Sequence, residues 1–162
     1  MDIKTNLNTV WYQNAKGDGR IKANYLKTKI AIPESLGGSG EGANPKELLV
    51  SSAATCYITT LVYILQTKKL PVAGLIMNSE ATNSKQEGFK IIHYPHVILS
   101  IDATEDQIEL AHEAIVAADK GCAIGNLLKK AEVEIEFEGK VSLVSDKDVV
   151  SQYVEDHGLD WF

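Results

Sequence analysis

Leu48 to Thr67 is a run of 20 residues without one charged side chain. As a helix rising 1.5 Å per residue it is about 30 Å long, so it must either cross a bilayer or lie in a core. Ser51, Ser52, Thr55, Thr59, Thr60, Gln66 and Thr67 make it too polar for a membrane span. The alternating segments on either side supply a sheet that a buried helix can cover. Pro45 suits the first helical turn, and Glu47 suits its positive end.

The segments around this helix read as follows. Residues 3 to 32 mix β-branched and aromatic residues with polar ones, with Gly17-Asp18-Gly19 as a turn signal, and predict antiparallel strands. Ile21, Ala23 and Tyr25 alternate with Lys22, Asn24 and Leu26, which puts one face inward. Pro33 to Pro45 carries Gly37, Gly38, Gly40 and Gly42 and reads as a flexible loop. Residues 72 to 87 and 89 to 102 predict a strand pair turning at Gln86-Glu87-Gly88. Thr104-Glu105-Asp106-Gln107 is a capping box that opens a helix ending at Gly121. A short apolar stretch from Cys122 to Leu128 and a strand over Val133, Ile135 and Phe137 follow. Residues 145 to 162 form a helical tail in which Val149, Val150, Tyr153 and Val154 share a face, Gly158 is a stop, and Trp161-Phe162 should dock. With no repeat or linker, residues 1–162 read as a single α+β domain.

Composition narrows the partners. Lys and Arg total 16 against 22 Asp and Glu, a formal charge of −6, and no basic stripe offsets that field. Nucleic acid and membrane are therefore not expected as partners. A chain of this length can bury roughly 70% of the surface its unfolded form exposes, so it needs no staples. Two cysteines are far fewer than a secreted disulfide scaffold carries, which points to a reducing cytoplasm. The N-terminus lacks a basic region followed by an apolar stretch, so the mature chain is expected to start near Met1.

Chemistry concentrates at the cysteines. Cys56 lies mid-helix among Ser51, Ser52, Ala53, Ala54 and Thr55, small residues that let other groups approach its sulfur. The alternative for Cys56 is plain packing as a small hydrophobe. Cys122 follows Gly121 at a helix start, where free N–H groups and the helix dipole can stabilise a thiolate. The two stand 66 residues apart, which excludes a local CxxC motif and leaves their meeting in space open.

Gly42-Ala43-Asn44-Pro45-Lys46-Glu47-Leu48-Leu49, a cysteine ten residues after Lys46, and Lys120-Gly121-Cys122 before a helix resemble the OsmC/Ohr family of thiol-dependent peroxidases. The element order matches over nearly the whole chain. The resemblance implies an OsmC-like α+β fold: antiparallel sheets wrapped around a long central cysteine-bearing helix, in an intertwined homodimer with interfacial active sites. It also implies that Cys56 attacks an organic hydroperoxide and that Cys122 resolves the sulfenic acid as a disulfide. An external dithiol, such as protein-bound dihydrolipoamide, then restores the thiols, with no cofactor. A stress or detoxification role follows.

The chain departs from the peroxidase pattern in two places. The family arginine position falls on Gly17, and the residue after Asn44-Pro45 is Lys46, where the family has glutamate. Arg20, the one arginine, and Glu47 lie close enough in sequence to stand in as catalytic cation and carboxylate, and Lys46 could supply the cation. Taken singly, Arg20 reads as a solvated turn residue and Glu47 as a partner of the helix dipole. The displaced pair motivates an alternative: a non-catalytic module of the same fold that binds a small hydrophobic ligand. A thiol-redox sensor and a hydrolase-like use of the nucleophile are further options.

No metal is expected. His93 and His96 flank Tyr94-Pro95, but an offset of three on a strand puts them on opposite faces, and they read as surface or strand-edge residues. His112 and His157 read as packing or solvated. The glycine loop lacks the Gly-Lys-Ser/Thr ending of a phosphate cradle and reads as a mobile wall.

Overall fold

A computed structural model of the chain describes residues 3–161. The expected start at Met1 and the Phe162 half of the terminal aromatic pair lie outside them. The chain divides into two compact units, Met1–Ser51 and Ser52–Phe162. The boundary falls inside a helix, which is why no linker marks it in the sequence.

The N-terminal unit holds an antiparallel meander of β1 (Asn8–Tyr12), β2 (Asp18–Lys22) and β3 (Lys27–Ile30). Strand β2 ends sooner than the alternation suggests. Ile21 is buried, whereas Tyr25 is 98% exposed in the turn that Ala23 closes by donating its N–H to the Leu26 carbonyl.

The glycine-rich segment is not a loose wall. Gly38 donates its N–H to the Pro33 carbonyl and Gly40 to that of Ile32, while Ala43 exchanges bonds with Lys29 and Ala31. A Cβ on Gly38 would lie 1.9 Å from the Ile32 carbonyl oxygen, so only glycine fits without moving backbone. Gly38→Ala is expected to lower unfolding free energy by about 3 kcal/mol, read from the urea midpoint. A variant as stable as the parent would mean that this turn is not held as described.

Helix α1 (Pro45–Thr67) begins as the sequence predicts. By length and composition it is the one described helix apolar enough to cross a membrane. In the C-terminal unit its Tyr57, Leu61 and Leu65, four residues apart and so on one face, join Val97, Leu99, Ala111, Ala114, Ile115 and Ala118 in the core.

That unit is built on a long hairpin of β4 (Val72–Ser84) and β5 (Gly88–Leu99). Helices α2 (Glu105–Gly121) and α3 (Ala123–Lys130) follow, then β6 (Glu134–Phe137), β7 (Lys140–Leu143) and α4 (Val149–Asp156). Thr104 and Gln107 form the reciprocal box that starts α2. Asp148 caps α4, and Gly158 follows it with a positive φ.

The expectation of antiparallel sheets is corrected here. Strands β6 and β7 both pair parallel with β5, at residues 90–93 and 96–99 respectively. The long α2–α3 crossover returns the chain in the direction that parallel pairing requires. Pro95 falls in the gap between the two ladders, where its missing N–H forfeits no bond to either strand.

Candidate active site

Cys56 and Cys122 meet in the C-terminal unit, both as free thiols. Cys56 sits on α1. Cys122 is the single residue between α2 and α3, the C-cap of one and the N-cap of the other. Its Sγ accepts the Gly125 N–H at 3.4 Å, the ordinary N-cap bond made by sulfur in place of oxygen. The next donor along, the Ile124 N–H, points to the Cys56 Sγ at 3.4 Å. The first turn of α3 therefore serves both sulfurs.

The two sulfurs are driven apart in acidity. Burial pushes the Cys56 thiol up, but the Ile124 N–H, the Cys122 thiol and the Ala123 N–H outweigh it and hold it below its usual value. Burial pushes Cys122 up; Gly125 opposes this, and the Cys56 sulfur and the Asp119 charge add to it. Cys56 is therefore the more acidic thiol of the pair, and Cys122, held protonated, donates toward its sulfur. The α3 start does supply Cys122 with a stabilising N–H from Gly125, but burial outweighs it, while the Ile124 and Ala123 donors act on Cys56.

Two surrounding residues, Thr60 and His93, escape the sequence reading as neighbours of the site. Thr60 lies one turn beyond Cys56 and donates its hydroxyl to the Cys56 carbonyl at 2.7 Å; the i, i+4 spacing was the available signal. His93 is 1% exposed, not a surface histidine. Its ring stacks on Tyr57 with centroids 5.0 Å apart, and its Nδ1 pairs with the Ser79 hydroxyl at 2.7 Å. Burial holds its imidazole below the usual value, against Asp119. The Tyr57 hydroxyl donates to the Ile115 carbonyl at 2.8 Å, and burial, then Asp119 and Cys122, push its phenol far up. Both groups are neutral at pH 7, and Tyr57 packs in the same core cluster as Cys122. His96 bonds Ser142 instead, and no metal-binding cluster occurs among the described residues.

Arg20 and Glu47 belong to the N-terminal unit. Arg20 lies on β2, 54% exposed in its side chain, with Nη1 2.6 Å from Asp18 Oδ1. Arg20 first, and then Lys29, hold the Asp18 carboxyl below the usual range. Glu47 closes a capping box with Asn44: the Glu47 N–H donates to Asn44 Oδ1 at 2.9 Å and the Asn44 N–H to Glu47 Oε1 at 3.4 Å. Lys46 is exposed beside it.

Residues 38–138 match the family described as OsmC-like protein. The chain is 38% identical over 137 residues to the uncharacterized protein YmaD of Bacillus subtilis, covering 82% of this chain and 91% of that one. The fold is similar to the OsmC-like protein of Mycoplasma pneumoniae at TM-score 0.66 and 20% identity, covering 88% of this chain and 99% of that one. It is also similar to the organic hydroperoxide resistance protein OhrB of Bacillus subtilis at TM-score 0.53 and 19% identity, covering 83% and 98%.

Proposed function

Because the chain belongs to the OsmC-like family, we propose that it is a thiol-dependent peroxidase that reduces organic hydroperoxides through Cys56 and Cys122. The observation that carries this reading is the pair of unlike thiols, one with the Ile124 N–H on its sulfur and one neutral beside it. An ionised sulfur is the nucleophile in such chemistry, and a neutral thiol next to it is the resolving group.

The Cys56 thiolate attacks one peroxide oxygen. The O–O bond breaks, the sulfur is oxidised to sulfenic acid, and the departing alkoxide takes a proton to leave as alcohol. With the anion gone from Cys56, the charge that helped keep Cys122 protonated is gone too. Cys122 then attacks the sulfenic sulfur; the S–S bond forms, and hydroxide leaves with the Cys122 proton as water. An external dithiol reduces the disulfide. The protein works as a cytoplasmic homodimer, with Arg20 and Glu47 as its cation and carboxylate.

Reduced protein is expected to consume cumene hydroperoxide in the presence of a dithiol, and faster than hydrogen peroxide. The rate should fall as pH drops through the Cys56 midpoint, because the protonated thiol is inert, and level off above it. That midpoint is expected below the ordinary thiol value of about 8.5. Consumption no faster than by dithiol alone would overturn the proposal. One observation favours the alternative, a module binding a small hydrophobic ligand: Arg20 is engaged by Asp18 and Glu47 by Asn44. A midpoint at or above about 8.5 would support that alternative.

A further inference from the structure

The corner between α2 and α3 is tied across its outside. Lys129 Nζ on α3 lies 2.9 Å from Asp119 Oδ2 on α2, and the Asn126 amide donates to the Lys120 carbonyl at 2.9 Å. Between the tied turns stands Cys122, and just past it the Ile124 N–H that meets Cys56. A hydrogen bond weakens steeply once its angle falls below about 120°. A helix of eight residues that carries such a donor in its first turn therefore has to be fixed in direction. Asp119 is also an unusual place for a carboxylate. Its side chain is only 19% exposed, and its charge faces Tyr57, His93 and Cys122, none of which can neutralise it. Lys129 is its cationic partner, and with 34% of that side chain exposed the pair contributes little to stability as such.

We infer that the Asp119–Lys129 ion pair is a positioning device for the nucleophile, holding α3 so that the Ile124 N–H stays on the Cys56 sulfur. Neither residue touches the reacting atoms. The inference rests on Cys56 being the thiol that ionises in the proposed reaction.

Tether and charge make different predictions for Asp119→Asn. Removing a carboxylate whose charge bears on Cys122 gives Cys56 no reason to become harder to ionise, whereas releasing the tether does. The test is the pH dependence of Cys56 alkylation by iodoacetamide in the full chain, followed on the Cys56 peptide by mass spectrometry. Asp119→Asn is expected to move the midpoint up by about one pH unit, which is roughly tenfold slower labelling at a fixed pH below it. Asp119→Glu and the exchange Asp119→Lys with Lys129→Asp should return it to the parent value.

A midpoint that stays or falls in Asp119→Asn, or an exchange that fails to restore it, overturns the tether. If Asp119→Asn loses its circular dichroism, Lys129→Gln at the more exposed end carries the same expectation, and an unmoved midpoint there is equally fatal. A parent midpoint at the ordinary thiol value overturns the peroxidase reading instead, so the two failures are distinguishable.

Discussion

Cys56→Ser is expected to abolish dithiol-dependent hydroperoxide consumption, with a loss of about three orders of magnitude or more. A serine hydroxyl in the same place receives the same Ile124 N–H but stays protonated at pH 7, so it presents no anion to the peroxide. The fold should be indifferent to the change, since Cys56 is only half-buried at the edge of the core. Cys122→Ser separates the two chemical steps. It should keep the first turnover and stop at a sulfenic acid that dimedone captures, because no second sulfur remains to displace hydroxide. Consumption by Cys56→Ser at the parent rate would remove Cys56 from the reaction altogether.

Leu61→Ala is expected to cost about 3–5 kcal/mol of unfolding free energy, which for a chain of this size is a fall in Tm of about 10 °C or more. Leu61 is fully buried one turn beyond Tyr57 and belongs to the cluster with Val97, Leu99 and Ile115. The upper part of the range applies because the residues able to close in on the hole are poor at doing so. Ala111, Ala114 and Ala118 on α2 have no reach, and β5 is held by partners on both edges. A loss under about 1 kcal/mol by denaturant titration would mean that the site collapses freely and that α1 is less firmly packed than described.

The helices were legible because their signals are local. The charge-free run, Pro45 and the Thr104–Gln107 box are short-range statements about backbone donors, and the structure has α1 and α2 where they point. The mixed sheet was not legible. Lys140–Leu143 is four residues long, and its parallel pairing with β5 is decided by the crossover and not by its own composition. Pro95 stands inside β5, which is nonetheless flanked on both sides because two short strands share one edge around it.

At the site, the two cysteines stood out as residues, while their difference in acidity depends on which donor meets which sulfur. Cys122 at a helix start was readable; that it would use Gly125 and leave Ile124 to Cys56 was not. His93 looked solvated because a histidine in a strand gives no sign of the Tyr57 ring and Ser79 hydroxyl waiting for it.

The two ladders on one edge of β5 impose a chronology on the chain. The β4–β5 ribbon joins neighbours and needs only a tight reversal to form, whereas β6 and β7 find their places after the intervening stretch from 100 to 133 has closed as a large loop. Cys122 lies within that stretch, so the encounter of the two sulfurs belongs to the late, long-range part of assembly.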